Sequence, residues 1–321
     1  MNKILLFSIC TLLIMSLHAQ VYTEEMEDSH YLEAPPSPPV VPPNVQFSTL
    51  TFKGTFSHSA NSNGFISVRD AAFYNDIAYM ISGDGKKILM TNSSGVPVAN
   101  PFASLTFNEA MRIRVNDEYV FVLDLNSLRF YSKTGVLRHT IQFTSADPWY
   151  QYFWVKNKQE IWFAAPNNRI AIYNYSTRTL LRTHTPVNRI YNTDYIRNDG
   201  NKMYKIYSGE KLIVYESTGG VIRERVIDTP NFKNLSRAYH LAAFTGNQSV
   251  WFDYENRSRA VLADANFNII RHINFLPASK NPTFDDMVIE SGTPMLRVHY
   301  SQGKVYVINI RPHAVEFYRL E

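Results

Sequence analysis

The side chains best suited to chemistry in this 321-residue chain are His240, Asp194, Asp285 and Asp286. One imidazole nitrogen and three carboxylates are donors that a divalent cation accepts. No local motif gathers them: the spacing holds neither a calcium loop nor a pair of histidines one helical turn apart. Asp285 and Asp286 are adjacent, so on a strand they point to opposite faces and one at most joins such a site. The expectation is therefore a set of polar groups solvating a channel, with no metal and no cofactor. Metal-dependent catalysis is the alternative. A second candidate is "DPWYQYFW", Asp147 to Trp154. Trp149 and Tyr150, with Asp and Gln nearby, suit stacking on a sugar ring or anchoring a protein partner. Strand alternation assigns Phe153 and Trp154 to packing instead. Nucleophilic hydrolysis finds no support, because the chain has no Gly-x-Ser-x-Gly elbow, phosphate loop or dinucleotide fingerprint. "SGDGKK", Ser82 to Lys87, reads as a hairpin turn, since no helix follows it to cradle a phosphate.

The elements that position these residues repeat. "VNDEYVFVLDLNSLRFYSKTGVLRHTIQF", residues 115 to 143, reads as strand, turn, strand, turn, strand, and similar lines occur six times from Arg69 to Glu321. Second strands are expected to start near Tyr79, Val120, Ile161, Met203, Val250 and Met295, at spacings of 41, 41, 42, 47 and 45 residues. Turns reading "SSG" (Ser93 to Gly95), "KTG" (Lys133 to Gly135), "STR" (Ser176 to Arg178) and "STGG" (Ser217 to Gly220) separate third from fourth strands. Gly permits the positive φ of a tight hairpin. A period of about 40 to 50 residues carrying four strands is that of a propeller blade. The expected fold is all-β, a six-bladed β-propeller over residues 47–321. "VQFSTLTFKGTF", residues 45 to 56, is a further strand, expected on the outer edge of the last blade beside "AVEFYRL".

"DEYVFVLDLNSLRFYSKTGVL" resembles an NHL-type repeat, and the six-unit pattern is similar to NHL-like and TolB-like propellers. That resemblance implies a mouth where the first residues of the inner strands collect. Read by position these are Arg112, Tyr152, Asp194, His240, Asp285 and Asp286. Six-bladed relatives include lactonases and lyases that hold a metal or a histidine base at this mouth.

The N-terminus, "MNKILLFSICTLLIMSLHAQ", has the layout of a signal peptide over residues 1–19: Lys3, an apolar run from Ile4 to Met15, and Ala19 before the cut. Its ending resembles signal peptides of Bacteroidota. The run is too short to span a bilayer. Cys10, the one cysteine, lies inside it, so the mature chain is expected to hold neither disulfide nor thiol. Residues 20–46 are an acidic, Pro-rich leader with net charge −5, expected to stay disordered. Setting aside that −5 and the +1 of Lys3, the total of +4 leaves +8 on residues 47–321. The Lys and Arg are scattered, with no run that would suit nucleic acid. These features together lead to an exported, non-catalytic binding or scaffold propeller of a bacterial envelope, periplasmic or extracellular. Its expected partner is an envelope or secreted protein, with a glycan as the alternative.

Overall fold

Short runs of Val, Ile, Phe and Tyr broken by Gly, Asn and Asp fold as strands joined by tight turns. The computed structural model describes residues 48–57, 68–144, 150, 152–156, 158–165, 169–185, 197–198, 202–208, 211–218, 221–228, 240–245, 248–252, 259–264, 268–275, 296–301, 304–310 and 314–320. In chain order the strands are β1 (Ser48–Ser57), β2 (Val68–Tyr74), β3 (Ile77–Ser82), β4 (Ile88–Asn92), β5 (Arg112–Val115), β6 (Val120–Leu123), β7 (Ser127–Tyr131) and β8 (Leu137–Gln142). There follow β9 (Tyr152–Lys156), β10 (Glu160–Ala165), β11 (Arg169–Asn174), β12 (Leu180–His184), β13 (Arg197–Asn198), β14 (Lys202–Ser208), β15 (Lys211–Thr218) and β16 (Val221–Asp228). The chain ends with β17 (His240–Thr245), β18 (Gln248–Phe252), β19 (Arg259–Ala263), β20 (Ile269–Phe275), β21 (Leu296–Ser301), β22 (Lys304–Ile310) and β23 (Ala314–Leu320). No helix among the described residues is long and apolar enough to cross a membrane.

Successive strands pair as antiparallel meanders: β2-β3-β4, β5 to β8, β9 to β12, β13 to β16, β17 to β20, and β21-β22-β23. A bridge between Thr91 and Pro97 stands at the fourth position of the first sheet. The first strands β2, β5, β9, β13, β17 and β21 each touch the next, and β21 touches β2, so six sheets form a closed ring.

Closure uses both ends of the described chain. β1 runs antiparallel to β23, pairing Leu50 with Leu320 and Ser57 with Ala314, as the position of residues 45–56 led us to expect. Its first residues also pair in parallel with β20, Ser48 opposite Ile273, so β1 joins two neighbouring sheets. One expectation needs correction. Leu296–Ser301 is the first strand of the last sheet, in contact with β2 and β17, and not the second. The fourth strand of that sheet is β1 itself, which frees the C-terminal segment from supplying all four.

The apolar residues fill the seams between sheets. Val120, Phe121, Val122 and Leu123 of β6 are all 0% exposed, because both faces of the strand are covered by neighbours. Phe121, Phe130, Phe153, Phe163 and Tyr175 make the seam between the second and third sheets, and Phe73, Tyr306 and Phe317 that between the last and the first. Burying each such ring contributes about 2 to 3 kcal/mol. The turns between third and fourth strands of the first three sheets repeat one backbone conformation: Gly95 and Gly135 have φ of 79°, and Arg178, at the matching place, has φ of 62°. The left-handed turn is thus kept even where no Gly supplies it.

Polar groups sit at the margins of the seams. Beside the cluster of Tyr152, Trp154, Trp162 and Tyr215, the Glu160 carboxylate accepts bonds from Trp162 Nε1 at 2.8 Å and Arg182 Nη2 at 2.7 Å, with Lys156 Nζ 3.5 Å away. Burial pushes its pKa up, but these donors outweigh burial and hold it below the usual carboxylate range. A carboxyl with a lowered folded pKa stabilises the fold above its unfolded pKa and loses that contribution as pH falls through the folded value. We expect urea stability to drop as pH falls below about 4.5, and Glu160→Gln to flatten that drop while lowering stability at pH 7.

Candidate functional site

In an antiparallel meander, the turns joining first to second and third to fourth strands lie at one end, and the first residues of the inner strands lie at the other. The structure bears this out: Lys133, in a third-to-fourth turn, donates to the Asn116 carbonyl in a first-to-second turn, and Tyr175 N donates to Gln159 O at 2.8 Å. The opposite end is the mouth.

The inner edge of each first strand has backbone groups with no ladder partner, and a buried one must find another. At β5 the partner is Asp70 of β2. This carboxylate, 0% exposed, accepts the buried Ile113 N–H at 2.9 Å and Arg114 Nη1 at 2.7 Å, tying the first sheet to the second. The arginines of β5 then reach the third sheet. The Arg112 guanidinium lies 4.4 Å from the Tyr152 ring centroid and that of Arg114 5.9 Å from Phe153. Arg112 Nη1 also donates to Met111 O at 3.0 Å. Nearer solvent, Arg69 reaches Glu109 Oε1 and Ala110 O, both at 3.4 Å. Lys86 stands exposed on the adjacent turn. In that turn, the Asp84 carboxylate accepts Ser82 Oγ–H at 2.5 Å and Lys86 N–H at 3.0 Å. Its amides therefore serve the hairpin, as expected for "SGDGKK". Burial pushes the Asp84 carboxyl up, but these donors and the Lys86 and Arg69 charges together outweigh it and hold the group below the usual range.

Of the residues anticipated for the mouth, the structure brings Arg112 and Tyr152 together, each 8% exposed, as a packed pair and not as freely solvated groups. Tyr150 is a correction. It is 1% exposed, with its ring centroid 4.9 Å from Phe143 and 5.0 Å from Phe163, so it packs in the core and offers no stacking face. Phe143, held by its N–H to Asn126 O at 2.8 Å, is what covers it. Phe153 and Trp154 are buried as alternation assigned them. His240 opens β17 opposite Phe252. Trp149, Asp194, Asp285 and Asp286 lie outside the described residues. Among the described residues no three His, Cys, Asp or Glu gather as a metal site. Asp70, Arg114 and Arg69 escaped the sequence reading. The signal was "RDAAFY", which begins the inner strand of the first sheet just as Arg112 begins that of the second.

The ring of sheets defines a β-propeller. No family model matches the chain, and no curated protein does. It is similar in structure to the Neurospora crassa Pan2 WD40 domain, with 10% identity over 87% of this chain and 98% of that one, at a TM-score of 0.49. A chain in the structure of an S. cerevisiae Dbp5 variant bound to Nup159, a Gle1 variant, IP6 and ADP gives 9%, 86%, 97% and 0.50. The N-terminal domain of Nup159 gives 10%, 88%, 98% and 0.48. At such identities the likeness concerns the fold alone.

Removing the Asp70 carboxylate strands the Ile113 N–H in the core and unpairs Arg114. Asp70→Ala is expected to cost about 3 kcal/mol, and Asp70→Asn less, because an amide oxygen still accepts from Ile113. Urea denaturation of the two variants beside the parent measures both.

Proposed function

We propose that this protein is a non-catalytic binding propeller that presents its mouth to a protein partner in a bacterial envelope. The observation that carries the reading is the interlocked set Asp70–Arg114–Phe153 and Arg112–Tyr152. It fixes charged and aromatic side chains of three successive sheets before any partner arrives. Asp70, Arg112, Tyr152 and Phe153 are buried, so their part is support: they hold the exposed side chains of the rim in place, and a rim so held loses little entropy on binding. Around them Arg69 beside Glu109 and the exposed Lys86 beside Asp84 give a rim of both charges that sets the register of a complementary protein surface. The signal-peptide layout of residues 1–19 supports export, and the acidic, Pro-rich residues 20–46 suit a tether between the propeller and its surroundings. The burial of Tyr150 weighs against a glycan platform built on paired rings.

Cross-linked affinity capture from the native envelope, read by mass spectrometry, tests this. A stoichiometric protein partner is expected, and Arg69→Glu with Lys86→Glu should abolish its capture while leaving the far-ultraviolet circular dichroism unchanged. A partner captured equally by the charge-reversed variant would move the interface off the mouth, and turnover of lactones at ordinary enzyme rates would replace the reading altogether.

A further inference from the structure

Seven large apolar residues are exposed among the described side chains: Val96, Leu125, Val136, Leu137, Leu180, Leu181 and Ile270. Scattered exposed apolar residues are ordinary on a protein surface. These are not scattered. Leu125 alone lies at the mouth end, in the turn between β6 and β7. Val96 follows the third-to-fourth turn of the first sheet, Val136 and Leu137 that of the second, and Leu180 and Leu181 that of the third, while Ile270 is the second residue of β20, the fourth strand of the fifth. All six therefore sit on the outer rim at the end opposite the mouth.

The sequence repeats the device. "VLR" at 136–138, "LLR" at 180–182, "VIR" at 221–223 and "IIR" at 269–271 place two aliphatic residues before an arginine on four consecutive outer strands. A fourth strand needs one inward aliphatic residue per pair of positions to cover its sheet. Here both members of the pair stand exposed, at 48% and 50% in the second sheet and 46% and 46% in the third. Arg138 is exposed beside the pair of the second sheet and Arg223 on the fourth sheet, whereas Arg182 is tied to Glu160 and Ile222 packs against the cluster around Trp162. Arg178 adds charge at the seam between those two sheets, close enough, with Arg138, to depress the pKa of His139, on which burial is the larger influence. Acidic groups also stand at this end, and those with named partners are engaged within it: Asp117 lies 2.5 Å and Glu118 3.5 Å from Lys158, Glu160 takes Arg182, Glu224 lies 3.8 Å from His184, Asp264 accepts from Asn268, and Tyr306 donates to Asp76.

We propose that this rim docks the propeller on an anionic lipid bilayer. The aliphatic pairs of the second and third sheets enter the headgroup boundary, and the exposed Arg138 and Arg223 meet lipid phosphates. A band that runs across three successive sheets and returns at the fifth fits a flat, laterally extended partner better than a single protein segment, and the net +8 of residues 47–321 adds long-range attraction. This surface is independent of the mouth.

The test is hydrogen exchange of the full chain with phosphatidylcholine vesicles, with and without phosphatidylglycerol. Exchange is read peptide by peptide, so that any binding through the apolar residues 4–15 is seen separately. Protection of residues 136–140 and 180–183 with anionic vesicles only, lost in Leu137→Gln with Leu181→Gln, is the expected result. Two results overturn the proposal. One is exchange at these peptides unchanged by anionic vesicles, even where the chain binds through its N-terminus. The other is protection that rises with protein concentration without lipid, accompanied by a dimer in sedimentation, which would assign the band to a second copy of this chain.

Discussion

A four-stranded sheet with apolar side chains on both faces has no stable existence alone, because neither face is covered. The first three sheets have that character, since residues on both sides of β3, β6 and β10 are buried, so each depends on a neighbour before and after it. Only a ring satisfies all six at once. The cost falls on the junction, where the first and last sheets must meet without a covalent connection. β1 resolves it by placing a strand from before the first sheet onto the outer edge of the last. The parallel pairing of the same strand with β20 also covers an edge that would otherwise template association.

The same dependence shapes the mouth. First strands face a channel and have no ladder on their inner side, so their buried amides require side-chain acceptors. Asp70 fills that role across 43 residues of sequence, and its charge then calls for Arg114. The site is in this sense a by-product of how neighbouring sheets satisfy each other. Being largely buried, it gives a rigid support to the exposed side chains around it, which then lose little on association.

Much of the fold was legible because local features repeat. The period, the turn glycines and the extra strand at residues 45–56 are all properties of short segments, and their agreement across six lines identified the ring. What sequence missed depended on contacts between segments far apart. Asp70 and Arg114 are 44 residues apart, and no local pattern joins them. Tyr150 reads as an exposed aromatic in "DPWYQYFW" until Phe143 and Phe163 are seen to close over it. The local pattern places Leu296–Ser301 one strand late, because a segment is assigned by its own pattern while its rank in a sheet depends on the partner that pairs with its edge. Arg178 shows the reverse: a turn that lacks its glycine keeps its place because the strands on either side hold it.

The central claim is that both ends of the described chain meet in one sheet. Thr51 and Arg319 are direct partners in the β1–β23 pairing. Two residues so placed stand at a separation that a disulfide bridges. The decisive measurement is therefore mild oxidation of the chain with Thr51→Cys, Arg319→Cys and Cys10→Ser, followed by proteolysis and mass spectrometry. The closed ring predicts one linked peptide pair joining the two segments in nearly every monomer, with a raised melting temperature. Free thiols at both positions in folded protein, or linkage only between molecules, would contradict it.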